Sequence, residues 1–248
     1  MAEYCAFCPE RATTREHLWD DWLNKLLGKD TRYIISRNMR GKALNWKSVG
    51  LNEKAPVLCD GCNNVWGSDI GAKVKGVAAN MITDGAAIKL TESDIAIIAT
   101  YSLMKAFVCD YMQDEVESFY GFRDRYAFRE DLTFPRSVQI WLARTFVGHG
   151  VFKGSYSKLS LKTPDRFQLY IFTISLGQLV IQVASSRWTK KSSRKYKKPP
   201  EFSFPPDSFS TTIWPTCALP ARWPPLEQLR SNELDAFIKR FSTVTRTG

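Results

Sequence analysis

The order of apolar and polar positions divides the chain into an irregular first third and a more regular remainder. Leu18 to Leu27 places Trp19, Trp22, Leu23, Leu26 and Leu27 at helical spacing and stops at Gly28, which predicts a short amphipathic helix. Tyr33-Ile34-Ile35 and the stretch from Leu44 to Leu51 predict two short strands, separated by the turn residues Asn38 to Gly41. Asn63 to Met81 predicts a helix in spite of its glycines, and Asp84-Gly85 marks a boundary. Thr91-Glu92-Ser93-Asp94 has the pattern of a capping box. It opens a long, largely buried helix to about Gln113 that carries Ile95, Ile98, Leu103, Phe107 and Val108. A further helix is expected from Pro135, with Val138, Trp141, Leu142 and Phe146 inward and Gly148-His149-Gly150 at its end. Val151 to Tyr156 predicts a strand. Phe167 to Ser186 alternates, with Leu179, Ile181 and Val183 on one face, Gln178 and Gln182 on the other, and Gly177 at the middle, as a β-hairpin does. Phe209 to Trp214 predicts another strand, Pro215 to Pro225 an ordered irregular run, and Asn232 to Phe241 a last helix. The expected fold is α+β: a small unit over residues 1–85, then an α+β domain with antiparallel strands over residues 86–248.

Composition narrows the class. A chain of 248 residues can bury a core without disulfides, and 44% hydrophobic with 13% aromatic content excludes a disordered chain. Ile95 to Cys109 is apolar but short for a membrane span and contains Lys105. Phe167 to Ser186 has no charge, yet it holds three glutamines and alternates. The opening residues lack a basic region followed by an apolar stretch. The expectation is a cytoplasmic protein with no membrane span and with reduced cysteines, unless a metal holds them.

The formal net charge is +10 and the pI about 9.3, which points to a polyanionic partner. Residues 1–85 carry 12 basic and 10 acidic side chains, and residues 86–248 carry 23 and 15. The excess concentrates between Arg187 and Lys198, a segment with no acidic residue. Arg187, Lys190, Lys191, Arg194, Lys195, Lys197 and Lys198 are candidate phosphate contacts, and Trp188 and Tyr196 could stack on bases. A solvated loop between strands is the plainer reading of the same run.

The strongest chemical signal is a duplicated pair, Cys5-x-x-Cys8 and Cys59-x-x-Cys62. Each pair puts two thiolates on one tight turn, and two such turns complete a four-cysteine zinc site. The separation exceeds that of a simple zinc ribbon, so something must be built between the pairs. Cys109 and Cys217 stand alone in apolar surroundings and read as core residues. The insert contains Glu16-His17, and Asn63 follows the second pair directly at an expected helix start.

Cys5, Cys8, Glu16, His17, Cys59, Cys62 and Asn63 together resemble the HNH endonuclease family in its zinc-stapled version. The resemblance covers residues 1–85. It implies a ββα-metal fold whose structural Zn²⁺ sits on the four cysteines. It further implies that His17 acts as general base, while Glu16 and Asn63 bind a catalytic Mg²⁺ or Mn²⁺. A neutral imidazole can take a proton from water near pH 7, and carboxylate and amide oxygens suit a hard cation. The family's middle asparagine, which braces its hairpin, has two candidates here, Asn52 and Asn45. His149 lies in a Gly-His-Gly turn and reads as a turn residue. The implied function is a metal-dependent endonuclease that hydrolyses phosphodiester bonds, with DNA as the expected substrate. Two other readings fit the same residues. One is a non-catalytic zinc module that binds nucleic acid. The other is the nuclease effector of a defence or toxin system, controlled through residues 86–248 by a partner protein.

Overall fold

The computed structural model describes residues 3–14, 18–28, 32–39, 42–113, 118–146, 151–161, 167–189, 194, 207–215 and 221–240, with backbone alone over 32–39, 42–46, 48, 113 and 151–161. Its architecture is α+β. Helix α1 (Asp21–Leu27) is followed by strands β1 (Arg32–Met39) and β2 (Lys42–Val49). A π-helical turn (Gly61–Gly67) runs straight into α2 (Ser68–Thr83). Then come β3 (Ile88–Leu90), α3 (Glu92–Gln113), α4 (Phe122–Asp131) and β4 (Gln139–Arg144). The rest is β5 (Val151–Leu161), β6 (Phe167–Leu176), β7 (Leu179–Trp188), β8 (Ser210–Trp214), β9 (Ala221–Trp223) and α5 (Ser231–Lys239).

Seven strands form one sheet in the order β2-β1-β5-β6-β7-β4-β8, and β3 pairs with β9 in a small second sheet. Every pairing is antiparallel except β1 with β5. The hairpin expected around Gly177 is present, with Phe167 opposite Trp188 and Leu176 opposite Leu179. Gly177 has φ of +53°, and a Cβ there would collide with the Ile82 carbonyl at the end of α2. The same turn holds that helix end, because Gln178 donates from its backbone to Ile82 O (2.9 Å) and from its side chain to Thr83 O (3.0 Å). The expected alternation of exposure along this hairpin is absent. Gln182 is fully buried and donates to Thr173 Oγ1 (2.8 Å) and Phe237 O (3.1 Å), because α5 covers the face of the sheet opposite the main core.

Helix α3 is the central support. Thr91 and Asp94 cap it reciprocally, as the capping box predicts. It is the one described helix long and apolar enough to cross a membrane, but 83% of its apolar window is buried inside the protein. That burial makes it a core helix. Packing is continuous across Asp84-Gly85: one core joins Phe7, Trp19 and Leu58 to Ile98, Phe107, Phe128 and Phe172. The strands β1 and β2 of the first 85 residues extend the sheet of the later ones.

The helix expected from Pro135 is a strand, β4, sandwiched between β7 and β8. Ile140, Trp141, Leu142 and Ala143 are all buried, so the run is apolar on both faces and shows no period of two. The apolar pattern does not predict helix α4, because its sequence, FRDRYAFRED, is mostly charged; its apolar anchor is Phe128.

Candidate metal centre and adjoining cleft

The first cysteine pair sits on a tight loop. Tyr4 bridges Arg11 antiparallel, and Cys5 N–H donates to Glu10 O (2.7 Å), which turns the residues between them back on themselves. The second pair opens the π-helical turn, where Asn63 N–H donates to Cys59 O (3.0 Å). Ala6 N–H donates to Val57 O (2.8 Å) and so docks one knuckle on the segment leading into the other. The result is a cluster in which all four sulfurs lie within 4.8 Å of one another. Cys8 Sγ is 3.5 Å from Cys59 Sγ and 3.6 Å from Cys62 Sγ, and the thiols are free of disulfides. A tetrahedral ion with metal–sulfur bonds of about 2.3 Å needs sulfur–sulfur edges of about 3.8 Å, so the cluster is sized to bind one metal ion such as zinc.

The electrostatics agree with that donor set. The Cys62 thiol donates to Cys5, which pulls the Cys5 pKa down to about 5 and pushes that of Cys62 up. Burial pushes Cys8 up to about 11. Cys5 forms a thiolate readily while Cys8 and Cys62 resist it, the imbalance that a bound divalent cation removes.

Helix α4 braces this cluster from outside. Arg125 is buried, donates from Nε to Ala6 O (2.7 Å) and from Nη1 to Tyr120 O, and lies 4.4 Å from the Tyr111 ring centroid. One turn later Arg129 favours the Cys62 thiolate and lies 5.0 Å from the Trp66 ring centroid. Arg129 also borders an opening of about 510 Å³ over Cys8, Cys59 and Cys62.

Behind the second knuckle lies a cleft of about 540 Å³ between the α1 region, the start of α2 and α3. Phe7, Leu58 and Met104 contribute apolar walls; Asp20, Asn63, Lys75 and Lys105 contribute polar ones. Asn63 donates from Nδ2 to Asn64 Oδ1 (2.8 Å), which leaves its amide oxygen without a donor among the described residues. That oxygen is the atom a hard cation takes.

Two segments meet antiparallel beside this cleft. Thr14 N–H and Oγ1 both donate to Leu58 O (3.0 Å each), and Leu18 N–H donates to Glu53 O (2.6 Å). As one segment advances from residue 14 to 18, the other retreats from 58 to 53, and it then runs into Cys59 and the helix. The inserted residues between these arms, which include α1, β1 and β2, are tied back by Asn24. Its side chain accepts from Leu51 N–H (2.7 Å) and donates to Leu51 O (3.3 Å). Asn52 instead makes a local, exposed bond to Val49 O (2.9 Å), and the side chain of Asn45 lies outside the described residues. Asn24 escaped the sequence reading because an asparagine inside a short helix carries no bracing signal of its own.

The structure thus brings Cys5, Cys8, Cys59 and Cys62 together and places Asn63 in the adjoining cleft. Glu16, His17, His149, Cys217, Lys190, Lys191, Lys195, Lys197 and Lys198 lie outside the described residues. Cys109 is buried, as expected of a core residue. Arg194 is exposed. Arg187 departs from the expected grip. Its Nε donates to Gln168 Oε1 (2.9 Å), its Nη1 to Phe119 O, and its guanidinium lies 4.7 Å from the Phe119 ring centroid. It is a strand residue at the end of β7 whose charge is turned inward. Trp188 packs edge-on against Phe167, with centroids 6.0 Å apart.

No protein-family model, curated protein or solved structure matches this chain. The functional reading therefore rests on the residues and their geometry.

Proposed function

We propose that this chain is a metal-dependent endonuclease of the HNH type, cytoplasmic, with DNA as its first expected substrate. The observation that carries the reading is the order of parts at the cleft. Two antiparallel arms, anchored at Thr14–Leu58 and Leu18–Glu53, lead into a cysteine-capped helix that presents Asn63. That order is compatible with the ββα arrangement of the proposed family, and Glu16-His17 falls in sequence between the two anchors of the first arm. The π-helical turn that carries Asn63 adds to the reading, because such turns recur at functional sites. Asn24, with its pair of hydrogen bonds to the Leu51 backbone, takes the bracing part sought in Asn52 or Asn45.

In this reading Zn²⁺ on the four thiolates is structural and takes no part in the chemistry. Glu16 and the free amide oxygen of Asn63 would hold Mg²⁺ or Mn²⁺, which supplies charge stabilisation at the phosphate and the leaving oxygen. His17 accepts a proton from the attacking water. Phosphate grip falls to the exposed Arg194 and to Lys190, Lys191, Lys195, Lys197 and Lys198, with Arg187 removed from that set.

The test is cleavage of plasmid DNA and of RNA in EDTA, Mg²⁺ and Mn²⁺, beside His17→Ala. Metal-dependent cutting that His17→Ala abolishes is the expected result. Equal cutting by His17→Ala removes the mechanism, and salt-sensitive binding without cutting gives the non-catalytic zinc module instead.

A further inference from the structure

A four-thiolate zinc site that serves only as a staple is closed and chemically quiet. This cluster is closed on one side only. Cys5, Cys59 and Cys62 belong to the main core, and Cys5 is 2% exposed. Cys8 is half-buried, and Cys8, Cys59 and Cys62 all border the opening of about 510 Å³.

Two local features keep that side open. Cys8 is followed by Pro9, Glu10 and Arg11, all exposed, whereas Cys5 is followed by the buried Ala6 and Phe7. Gly61 stands within the second pair and borders the opening without a side chain, and a Cβ there would have nothing within 4 Å. The rim charges bear on what enters. Arg11 and Arg129 stand with Glu10, Asp60 and Glu130, so an anion gains no net attraction. A small neutral oxidant fits that rim, and hydrogen peroxide is of this class. Cys8 Sγ has partners at hand, Cys59 Sγ at 3.5 Å and Cys62 Sγ at 3.6 Å. A disulfide needs about 2.05 Å, a shift that the exposed loop after Cys8 can absorb.

We propose that Cys8 is an oxidation site, the sulfur at which a peroxide opens the metal centre. The Cys8 thiolate attacks one peroxide oxygen, the O–O bond breaks, hydroxide leaves and Cys8 becomes a sulfenic acid. The thiolate of Cys59 or Cys62 then attacks Cys8 Sγ, the S–O bond breaks, and a second hydroxide leaves as a disulfide joins the two knuckles. Two thiolates have given two electrons to the peroxide, and the two that remain are too few to hold zinc. Asn63 directly follows Cys62, so the helix start that carries it loses its anchor at the same moment. The proposal rests on zinc at the four thiolates and not on the nuclease reading.

The experiment treats the zinc-loaded protein with hydrogen peroxide beside a chromophoric zinc chelator and maps the cysteines by mass spectrometry. The expected result is release of the bound zinc, dimedone trapped on Cys8, and a Cys8–Cys59 or Cys8–Cys62 disulfide that dithiothreitol reduces. Cys8→His keeps a zinc ligand but removes the oxidisable sulfur, and should release zinc about tenfold more slowly. Gly61→Leu fills open space at the rim without replacing a ligand, and should slow release about threefold or more. A protein that neither carries nor takes up zinc overturns the proposal. So does a bond within one pair, Cys5–Cys8 or Cys59–Cys62, and so does oxidation of Cys8 to sulfinic or sulfonic acid with no disulfide. Release from both variants at the wild-type rate overturns it too. If Cys8→His holds no zinc, the Gly61→Leu rate and the dimedone map decide. Neither readout uses cleavage, so a chain that cuts no nucleic acid but loses zinc through Cys8 removes the nuclease reading and supports this one.

Discussion

Arg125 is the residue through which the later part of the chain grips the first knuckle, and replacing it tests that coupling. Arg125→Met keeps the aliphatic volume and removes the guanidinium. The Ala6 carbonyl loses its donor, and an orphaned buried carbonyl costs about 1–3 kcal/mol. The charge-assisted bond to Tyr120 O goes as well, worth about 1.5–3 kcal/mol, and the contact with the Tyr111 ring about 1 kcal/mol. Against these stands the relief of no longer burying a cation, the burial that already pushes the Arg125 pKa down. The net loss is about 3 kcal/mol, or about 6–12 °C in Tm for a chain of this size. Ala6 lies between Cys5 and Cys8, so zinc release to a chromophoric chelator should speed up in the same variant. Calorimetry of Arg125→Met beside Arg123→Met, an exposed position on the same helix, reads the difference. An Arg125→Met protein that melts within about 1 °C of wild type, or that loses stability with no change in zinc release, refutes the coupling.

Elemental analysis should find one zinc per chain, lost in Cys62→Ala together with a cooperative melt. Arg129→Met should leave the fold intact but release zinc about tenfold faster, because the cation beside the Cys62 thiolate is gone. Gly71→Ala drives a methyl into Asp20 and should cost about 1–3 kcal/mol. Gly76→Ala, with nothing within 4 Å of its Cβ on the same helix, should stabilise by about 0.5–1 kcal/mol; thermal melts of the pair check both. Arg187→Gln should lower Tm and leave the salt dependence of DNA binding unchanged. Neutralising Arg194 with the neighbouring lysines should flatten that dependence.

The cysteine pairs, the capping box at Thr91 and the hairpin at Gly177 were legible in the sequence, because each is set by residues a few positions apart. Elements whose character depends on distant cover were not. Ile140 to Ala143 reads as helix or strand equally well until β7 and β8 are known to flank it. Gln182 reads as solvent-facing until α5 is known to lie over it. The site divides in the same way. Asn63 is given by its place after Cys62, whereas Asn24, Lys105, Arg125 and Arg129 act across 27 to 119 residues of chain and carry no local signal. Arg187 is the opposite failure: a residue within a local charge run whose partners, Gln168 and Phe119, lie elsewhere.

The support that α3 and α4 give to the knuckles has a consequence in time. During synthesis the four cysteines and Asn63 leave the ribosome before α3 and α4, so a metal such as zinc could close the loop from Cys5 to Cys62 before those helices are made. The wall of the cleft, with Tyr101 and Lys105, and the brace from Arg125 and Arg129 arrive later. The pairing of β1 with β5 waits for Val151 and beyond. A nascent chain that already displays all four cysteines could thus be closed by a metal while it still lacks the groups that hold Leu18 and Asp20 in place, and the cleft takes shape only as the core around α3 condenses.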